Sequence, residues 1–350
     1  MNEDFKKEDE KEEKEYENEK ENYWLGKVAP EFIDGVWLNS QPLILKELKD
    51  KIVLIEFWDY SCINCIRTLP YLKSWYEKYS QFGLIIIGVH TPEFEFGKEP
   101  ENISRAISEL GIEYPVVLDP ERTIWHEYNN MYWPRIFILD KNGIIRYDHV
   151  GEGGYYKTES KIQELIRELN CNVSLPIITY AQDEENKLCY PITKEIYLGF
   201  EKGYIGNQDG FLVGVAEYSD TKIHIDGKYY LQGAWLATPQ YVKHARKIPS
   251  QENLIDYIAV RYHANEVYAV MSADFPTKVY VKQADNWLDN SNKGKDIKFD
   301  DSGRSFVEVS NPGLYNLVKS QNFGMHELTL FPIDENLQIF TFSFASSPII

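Results

Sequence analysis

One feature restricts this chain more than any other: a buried-strand pattern that runs directly into two closely spaced cysteines and then into an amphipathic helix. Ile52-Val53-Leu54-Ile55-Glu56-Phe57 is an apolar run broken by a single acid, and Cys62-Ile63-Asn64-Cys65 follows four residues later. Leu69, Leu72, Tyr76 and Tyr79 then recur at helical spacing, which predicts a helix over about 65–79. A thiolate attacks disulfides and a thiol does not, so a protein doing this chemistry has to favour the charged form of one cysteine. A cysteine placed just ahead of a helix gains that help from the free N–H groups and the helix dipole. Cys62 has that place, and Cys65 falls one turn further on, within reach to resolve a mixed disulfide. A zinc site would need two more ligands, usually a second CxxC or a His pair. Cys171 and Cys189 lie far downstream, 18 residues apart, and no His pair accompanies them. The arrangement therefore points to redox chemistry and not to a metal.

The flanking sequence gives this motif an α/β setting. Leu84-Ile85-Ile86-Ile87-Gly88-Val89 reads as a second buried strand, a helical stretch lies near 101–110, and Val116-Val117-Leu118 reads as a short strand. Ile136–Leu139 and Ile144–Tyr147 flank Asn142-Gly143, a strong hairpin signal, and a last helix is expected over about 159–169. Alternating strands and helices that close with a hairpin and a helix make a mixed sheet flanked by helices. Beyond about 190 the pattern changes to strands and turns. Lys278–Lys282 and Phe340–Phe344 alternate as half-buried antiparallel strands do, and Asp226-Gly227, Ser302-Gly303 and Pro312-Gly313 punctuate the stretch. Such a series predicts an all-β, jelly-roll-like sandwich. The expected organisation is a disordered charged tail over 1–22, a redox domain over 23–170, a linker over 171–190 and a β-sandwich over 191–350.

Charge and composition remove several functions. The formal net charge is −18, and residues 1–22, with 11 Asp/Glu against five Lys, supply −6 of it. Nucleic acid and anionic membranes both require basic patches, and the rest of the chain is still strongly acidic. No apolar run approaches the roughly 20 residues that span a bilayer, and Met1–Lys7 has no apolar core of a signal peptide. The expected compartment is the cytoplasm. Four Cys in 350 residues suit a reducing environment. Aromatics reach 14%, with 25 Tyr, which favours β-structure.

The stretch from Glu56 to Leu72, read with Gly88-Val89-His90-Thr91-Pro92-Glu93-Phe94, Tyr132-Trp133-Pro134 and Gly151-Glu152-Gly153, resembles the thioredoxin superfamily, and more closely its DipZ/TlpA-like branch. The resemblance covers roughly residues 25–170. It continues more loosely to the end, because DipZ-like proteins carry a β-sandwich similar to carbohydrate-binding modules. Glu195-Ile196-Tyr197-Leu198-Gly199 and Phe340–Phe344 look like the edges of that module. The resemblance implies that Cys62 is the nucleophile and Cys65 the resolving cysteine. It makes Glu56 a buried acid exchanging the Cys65 proton, its pKa raised toward neutrality by burial. Pro134, after Trp133, stands at the family's cis-proline, and Trp58, Ile63, Asn64 and Trp133 are expected around the substrate. Pro70 would kink the active-site helix. The implied partners are a disulfide-bearing protein and a thiol-reducing donor of the thioredoxin-reductase type. No bound cofactor is implied, because the Cys62–Cys65 disulfide itself carries two electrons. Glu56 departs from the Asp usual in thioredoxins, and Trp133 from the Thr common before the proline.

Other residues are open to two readings. Arg67 either stabilises a thiolate or is solvated. His90 either borders the site or serves a structural turn, with the turn favoured. Cys171 and Cys189 are expected as buried thiols, with a disulfide closing the linker as the alternative. Trp235, Trp287, Tyr229 and Tyr230 would suit a sugar-stacking platform or, as aromatics in β-domains more often do, a core. Two rival functions remain. Ala29-Pro30-Glu31-Phe32 is reminiscent of peroxiredoxins, but Ile55 and Asp59 occupy the positions where that family has Pro and Thr, seven and three residues before its cysteine. The other is a non-catalytic glycan- or protein-binding module.

Overall fold

The computed structural model describes residues 23–32, 35–178, 192–249 and 254–346. The expected charged tail and Cys189, with any pairing it makes, lie outside the described residues. The chain divides into two compact units near residue 186.

In the first unit, chain order is β1 (Trp37–Leu38), β2 (Ile52–Trp58), α1 (Ile63–Tyr79), β3 (Leu84–His90), α2 (Pro100–Leu110), β4 (Val116–Leu118), α3 (Thr123–Glu127), β5 (Arg135–Leu139), β6 (Ile145–Val150) and α4 (Tyr155–Leu169). The sheet runs β1-β4-β3-β2-β5-β6. Strands β2, β3 and β4 are parallel to one another, and β5 returns antiparallel to β2, so the sheet is mixed as expected. All seven residues of β2 are buried, because the strand is central and covered on both faces. Its period of two decides what each face receives. Val53, Ile55 and Phe57 join Ile124, Trp125 and Tyr128 in one core, whereas Ile52, Leu54 and Trp58 join Cys65, Leu69, Leu72 and Trp75 of α1 in the other. Glu56 shares the parity of this second set, so it lies on the face that carries the cysteine helix. The hairpin expected at Asn142-Gly143 closes with the Gly143 N–H on the Asp140 carbonyl, and Gly143 takes a φ of 76°. Pro70 lies within α1 without ending it. Cys171 follows the end of α4 in an exposed turn, which corrects the expectation of a buried thiol.

The second unit is all β among its described residues: β7 (Ile196–Tyr197), β8 (Val215–Tyr218), β9 (Tyr229–Ala237), β10 (Val242–His244), β11 (Tyr257–Ala273), β12 (Thr277–Gln283), β13 (Asn286–Trp287), β14 (Ile297–Phe299), β15 (Ser305–Val309), β16 (Gly313–Pro332) and β17 (Leu337–Ala345). Where the sequence predicts a jelly-roll-like sandwich, the strands form one continuous 11-stranded sheet. Strand β11 explains how one sheet can enclose a core. Its first part pairs with β9 and its last part with β17, while β16 follows it along the other edge. The change of neighbour coincides with an irregularity between Ala264 and Glu266. Ile258, Val260, Tyr262 and Ala264 enter the core before it, and Val267, Ala269 and Met271 after it. One inserted residue exchanges even for odd positions and so keeps the same face inward while the strand bends.

Of the two readings of the aromatics, the core holds for three of the four rings. Trp235 and Tyr229 are fully buried and Tyr230 nearly so, which leaves only half-buried Trp287 near the surface. The physical reason is local: the Trp235 indole N–H donates to the Gln232 carbonyl, and the Tyr230 hydroxyl accepts from the Ile225 N–H. These rings complete the core and present no stacking face. Among the described residues, no helix is long and apolar enough to cross a membrane.

Candidate active site

The site begins at the C-terminal end of β2. The Asp59 carboxylate accepts the Ser61 N–H at 2.9 Å, and the Asp59 carbonyl accepts the Cys62 N–H at 3.1 Å, which turns the chain sharply out of the strand. Cys62 is the N-cap of α1, with extended backbone (φ −87°, ψ 116°), and its carbonyl accepts the Ile66 N–H. The first N–H groups of α1 have no intrahelical partner and the positive end of the helix dipole lies here, so the surroundings of Cys62 favour negative charge. Both cysteines are free thiols, Cys62 half-buried and Cys65 fully buried. Burial pushes the Cys65 thiol well above its ordinary value, and Cys62 and the Glu56 charge push it the same way. The two thiols are thus unequal: one open to a partner, one held as a neutral reserve.

Glu56 lies fully buried in the same core. Burial raises its carboxyl well above the usual range, and a hydrogen bond from Tyr114 partly opposes this. The Tyr114 hydroxyl donates to Glu56 Oε2 at 3.5 Å, and Glu56 Oε1 has no hydrogen-bond partner. Between the ordinary value of 4.5 and the raised folded value, the unfolded chain is ionised while the folded chain keeps its proton. Stability therefore falls as pH rises through that window. Glu56→Gln removes the penalty, so it is expected to stabilise the protein by about 1–2 kcal/mol at pH 7. It should also slow disulfide resolution roughly a hundredfold. Urea denaturation at pH 5 and pH 7, beside single-turnover kinetics, checks both effects.

Sequence reasoning missed the environment of His90. It is the last residue of β3, paired in register with Trp58, and it is fully buried. Its Nε2 lies 3.6 Å from Asp59 Oδ1, and the Tyr60 ring stacks on it at 5.5 Å. Of its two readings, His90 thus fits the one that borders the site, beside the acid that shapes the Cys62 turn, and not the favoured structural turn. Asp59 is pushed up by burial, yet His90 and the Ser61 and Glu93 N–H groups outweigh this and hold it below its ordinary 3.8. Such a group stabilises the fold above 3.8 and loses that contribution as pH falls through its lower folded value. Asp59→Asn is expected to flatten this acid limb, as pH-dependent denaturation would show. Arg67 Nε donates to Glu152 at 2.9 Å.

Trp133–Pro134 is a cis peptide bond. Arg135 pairs with Phe57, which sets Pro134 beside the end of β2 that leads to Cys62. The Trp133 indole donates to the Thr91 carbonyl at 3.0 Å and packs against Trp125 at 4.2 Å. Two of the expected substrate contacts are corrected. Trp58 is fully buried because β2 is covered on both faces, and it packs against His90; Ile63 is only 7% exposed. Asn64 is exposed and Trp133 half-buried, so these two remain open to a partner. Tyr114 had no sequence signal; its place beside Glu56 is made by tertiary packing. Among the described residues, no group of three or more His, Cys, Asp or Glu is arranged to hold a metal ion.

Residues 25–148 match the AhpC/TSA family, and residues 193–345 match the family described as the thioredoxin like C-terminal domain. Protein DipZ of Mycobacterium bovis is 34% identical over 239 residues, covering 67% of this chain and 33% of that protein. The chain thus spans about a third of the length of the DipZ proteins it matches. Thiol-disulfide oxidoreductase YkuV of Bacillus subtilis is 28% identical over 135 residues, 39% of this chain and 90% of YkuV. Thiol-disulfide oxidoreductase ResA of Bacillus thuringiensis is 28% identical over 147 residues, 42% of this chain and 82% of ResA. With a redox-domain match followed by the thioredoxin-like C-terminal match, and with two thirds of this chain aligned to a DipZ relative, the chain belongs to the DipZ-like branch of the thioredoxin superfamily.

Proposed function

We propose that this protein is a thiol–disulfide oxidoreductase that exchanges electrons with disulfide-bearing proteins through Cys62 and Cys65. The observation that carries this reading is the inequality of the two thiols above a buried acid: Cys62 is half-buried at a helix start, and Cys65 is sealed beside Glu56. In the reductive direction the Cys62 thiolate attacks a substrate sulfur, and the substrate disulfide breaks to release one thiolate. Cys65 then gives its proton to Glu56 and attacks Cys62, which frees the second substrate thiolate and leaves a Cys62–Cys65 disulfide. Two electrons have passed to the substrate, and no cofactor is required. A thiol donor of the thioredoxin-reductase type restores the dithiol. Asn64 and Trp133, flanking the cysteines and Pro134, are the side chains that would meet the substrate.

The test is the reduction potential of the couple, measured by equilibration with glutathione and mass spectrometry. A value near about −270 mV marks a reductant like thioredoxin, and one near about −120 mV marks an oxidant. Absence of any Cys62–Cys65 disulfide across all poises would refute the reading.

The AhpC/TSA match over residues 25–148 favours testing a peroxidase as well. Three residues before Cys62 stands a buried Asp59 carboxylate in place of the hydroxyl of the peroxidase pattern, and Ile55 replaces the proline. Peroxide consumption far slower than disulfide exchange is the expected result.

A further inference from the structure

Resting on the redox reading of Cys62 and Cys65, we propose that Tyr114 is a positioning residue for disulfide resolution. It ties one oxygen of the Glu56 carboxylate and leaves the other to receive the Cys65 proton.

Several observations fix this tyrosine. Its backbone is pinned from the side, where Asn39 Nδ2 donates to the carbonyls of Ile112 at 2.8 Å and Tyr114 at 3.1 Å. The next residue is anchored too, since the Pro115 carbonyl accepts the Gly88 N–H at 2.9 Å. Gly88 is the β3 partner of Glu56. A Cβ at Gly88 would stand 3.3 Å from Tyr114 Cε2 and 2.9 Å from the Trp58 indole nitrogen. The missing side chain is what lets the Tyr114 ring lie against the sheet next to Glu56. Tyr76 meets the ring edge-on at 6.0 Å. Fully buried and held on these sides, the phenol has its hydroxyl directed to Glu56 Oε2 at 3.5 Å. Among the described residues it is the one hydrogen bond to that carboxyl, and Oε1 stays open.

The chemistry follows from that geometry. A buried carboxylate without a donor is costly and stays protonated, in which state it cannot accept a second proton. A phenol donor favours the charged, proton-accepting form and does so without offering a competing charge. In the resolving step the proton moves from Cys65 Sγ to Glu56 Oε1. The sulfur electron pair forms the Cys62–Cys65 bond, and the bond from Cys62 to the substrate sulfur breaks, with its electron pair leaving on the substrate thiolate. Tyr114 touches none of the atoms that change partners. Its influence passes through Glu56.

The experiment uses Ellman's aromatic disulfide with the full chain carrying Cys171→Ser and Cys189→Ser. Rapid mixing then reads two releases of chromogenic thiolate, the first from attack by Cys62 and the second from resolution by Cys65. Tyr114→Phe is expected to leave the first phase unchanged and to move the pH midpoint of the second upward by about one unit, a roughly tenfold slowing at neutral pH. Site-specific 3-fluorotyrosine at position 114 keeps the shape but donates more strongly, so it should move the midpoint downward. Tyr114→Phe combined with Glu56→Gln should be no slower than Glu56→Gln alone, because both act on one group. An unshifted second phase in Tyr114→Phe, or additive slowing in the double variant, would overturn the proposal. A wild-type chain with a first phase and no second would instead overturn the redox reading on which it rests.

Discussion

Replacing Cys62 with Ser is expected to reduce disulfide exchange by roughly a thousandfold or more, to the level of the uncatalysed reaction, while leaving the fold intact. A serine hydroxyl is a far weaker acid than a thiol and its oxygen a poor nucleophile toward sulfur, so disulfides are not attacked at the N-cap. Cys65→Ser has a different expected result. Attack by Cys62 survives, the resolving thiol is gone, and the substrate stays on Cys62 as a mixed disulfide. Mass spectrometry after mixing with a disulfide-bearing peptide distinguishes them: no adduct with Cys62→Ser, a stable one-to-one adduct with Cys65→Ser. The reverse pattern would mean that the buried cysteine is the one substrates reach, contrary to its complete burial.

The largest loss of stability is expected from Asp148→Ala. Arg135 opens β5 immediately after the cis-proline, and its guanidinium grips Asp148 of β6 through two bonds of 2.9 and 2.7 Å. The two side chains are only 5% and 1% exposed. A buried ion pair adds little over an apolar pair of the same shape, but removing one member leaves the other charge without compensation. The expected cost is about 3–5 kcal/mol, read as a lower urea midpoint for the redox domain in the intact chain. Arg135→Met together with Asp148→Leu should recover most of that loss. Asp148→Ala with a cost below about 1 kcal/mol would show that water reaches the pair. Because β5 carries Pro134 at its head, the same variant should also weaken substrate binding.

Local signals explain which parts of this architecture could be read before it was seen. The run at 52–57, the cysteine spacing and the 65–79 periodicity are all properties of neighbouring residues, and each corresponds to an element within two residues or so. Asn142-Gly143 marked its hairpin because Gly143 supplies the positive φ that the turn needs. Helix α4 begins at Tyr155, four residues before the expected start, since its N-terminus is set by Gly154 in the left-handed region and not by a Ser, Thr, Asp or Asn cap. Helix α3 escaped because it is five residues long and held by the Asp119 carboxylate, which accepts the Ile124 and Trp125 N–H groups. Tyr114 beside Glu56 had no local trace, and His90 beside Asp59 only a weak one, as tertiary packing unites each pair. Trp58 was misjudged because nearness to Cys62 in sequence says nothing about burial: it lies on the cysteine-helix face of β2, and that face is covered. In the second unit, β11 and β16 hid their length: their irregularities interrupt the alternation on which a strand is recognised.

The bend in β11 also bears on how this domain can tolerate change in length. On either side of Asn265 the strand obeys a two-residue frame, and the two frames are out of phase. Removing Asn265 would join them into one frame with both sets still on one face, but without the irregularity at which the strand changes neighbour from β9 to β17. A single insertion within either segment would turn everything beyond it to the opposite face, whereas paired insertions would restore phase. Length variation in descendants of this sequence is therefore expected in the turns between strands, with β11 drifting by substitution and scarcely by insertion or deletion.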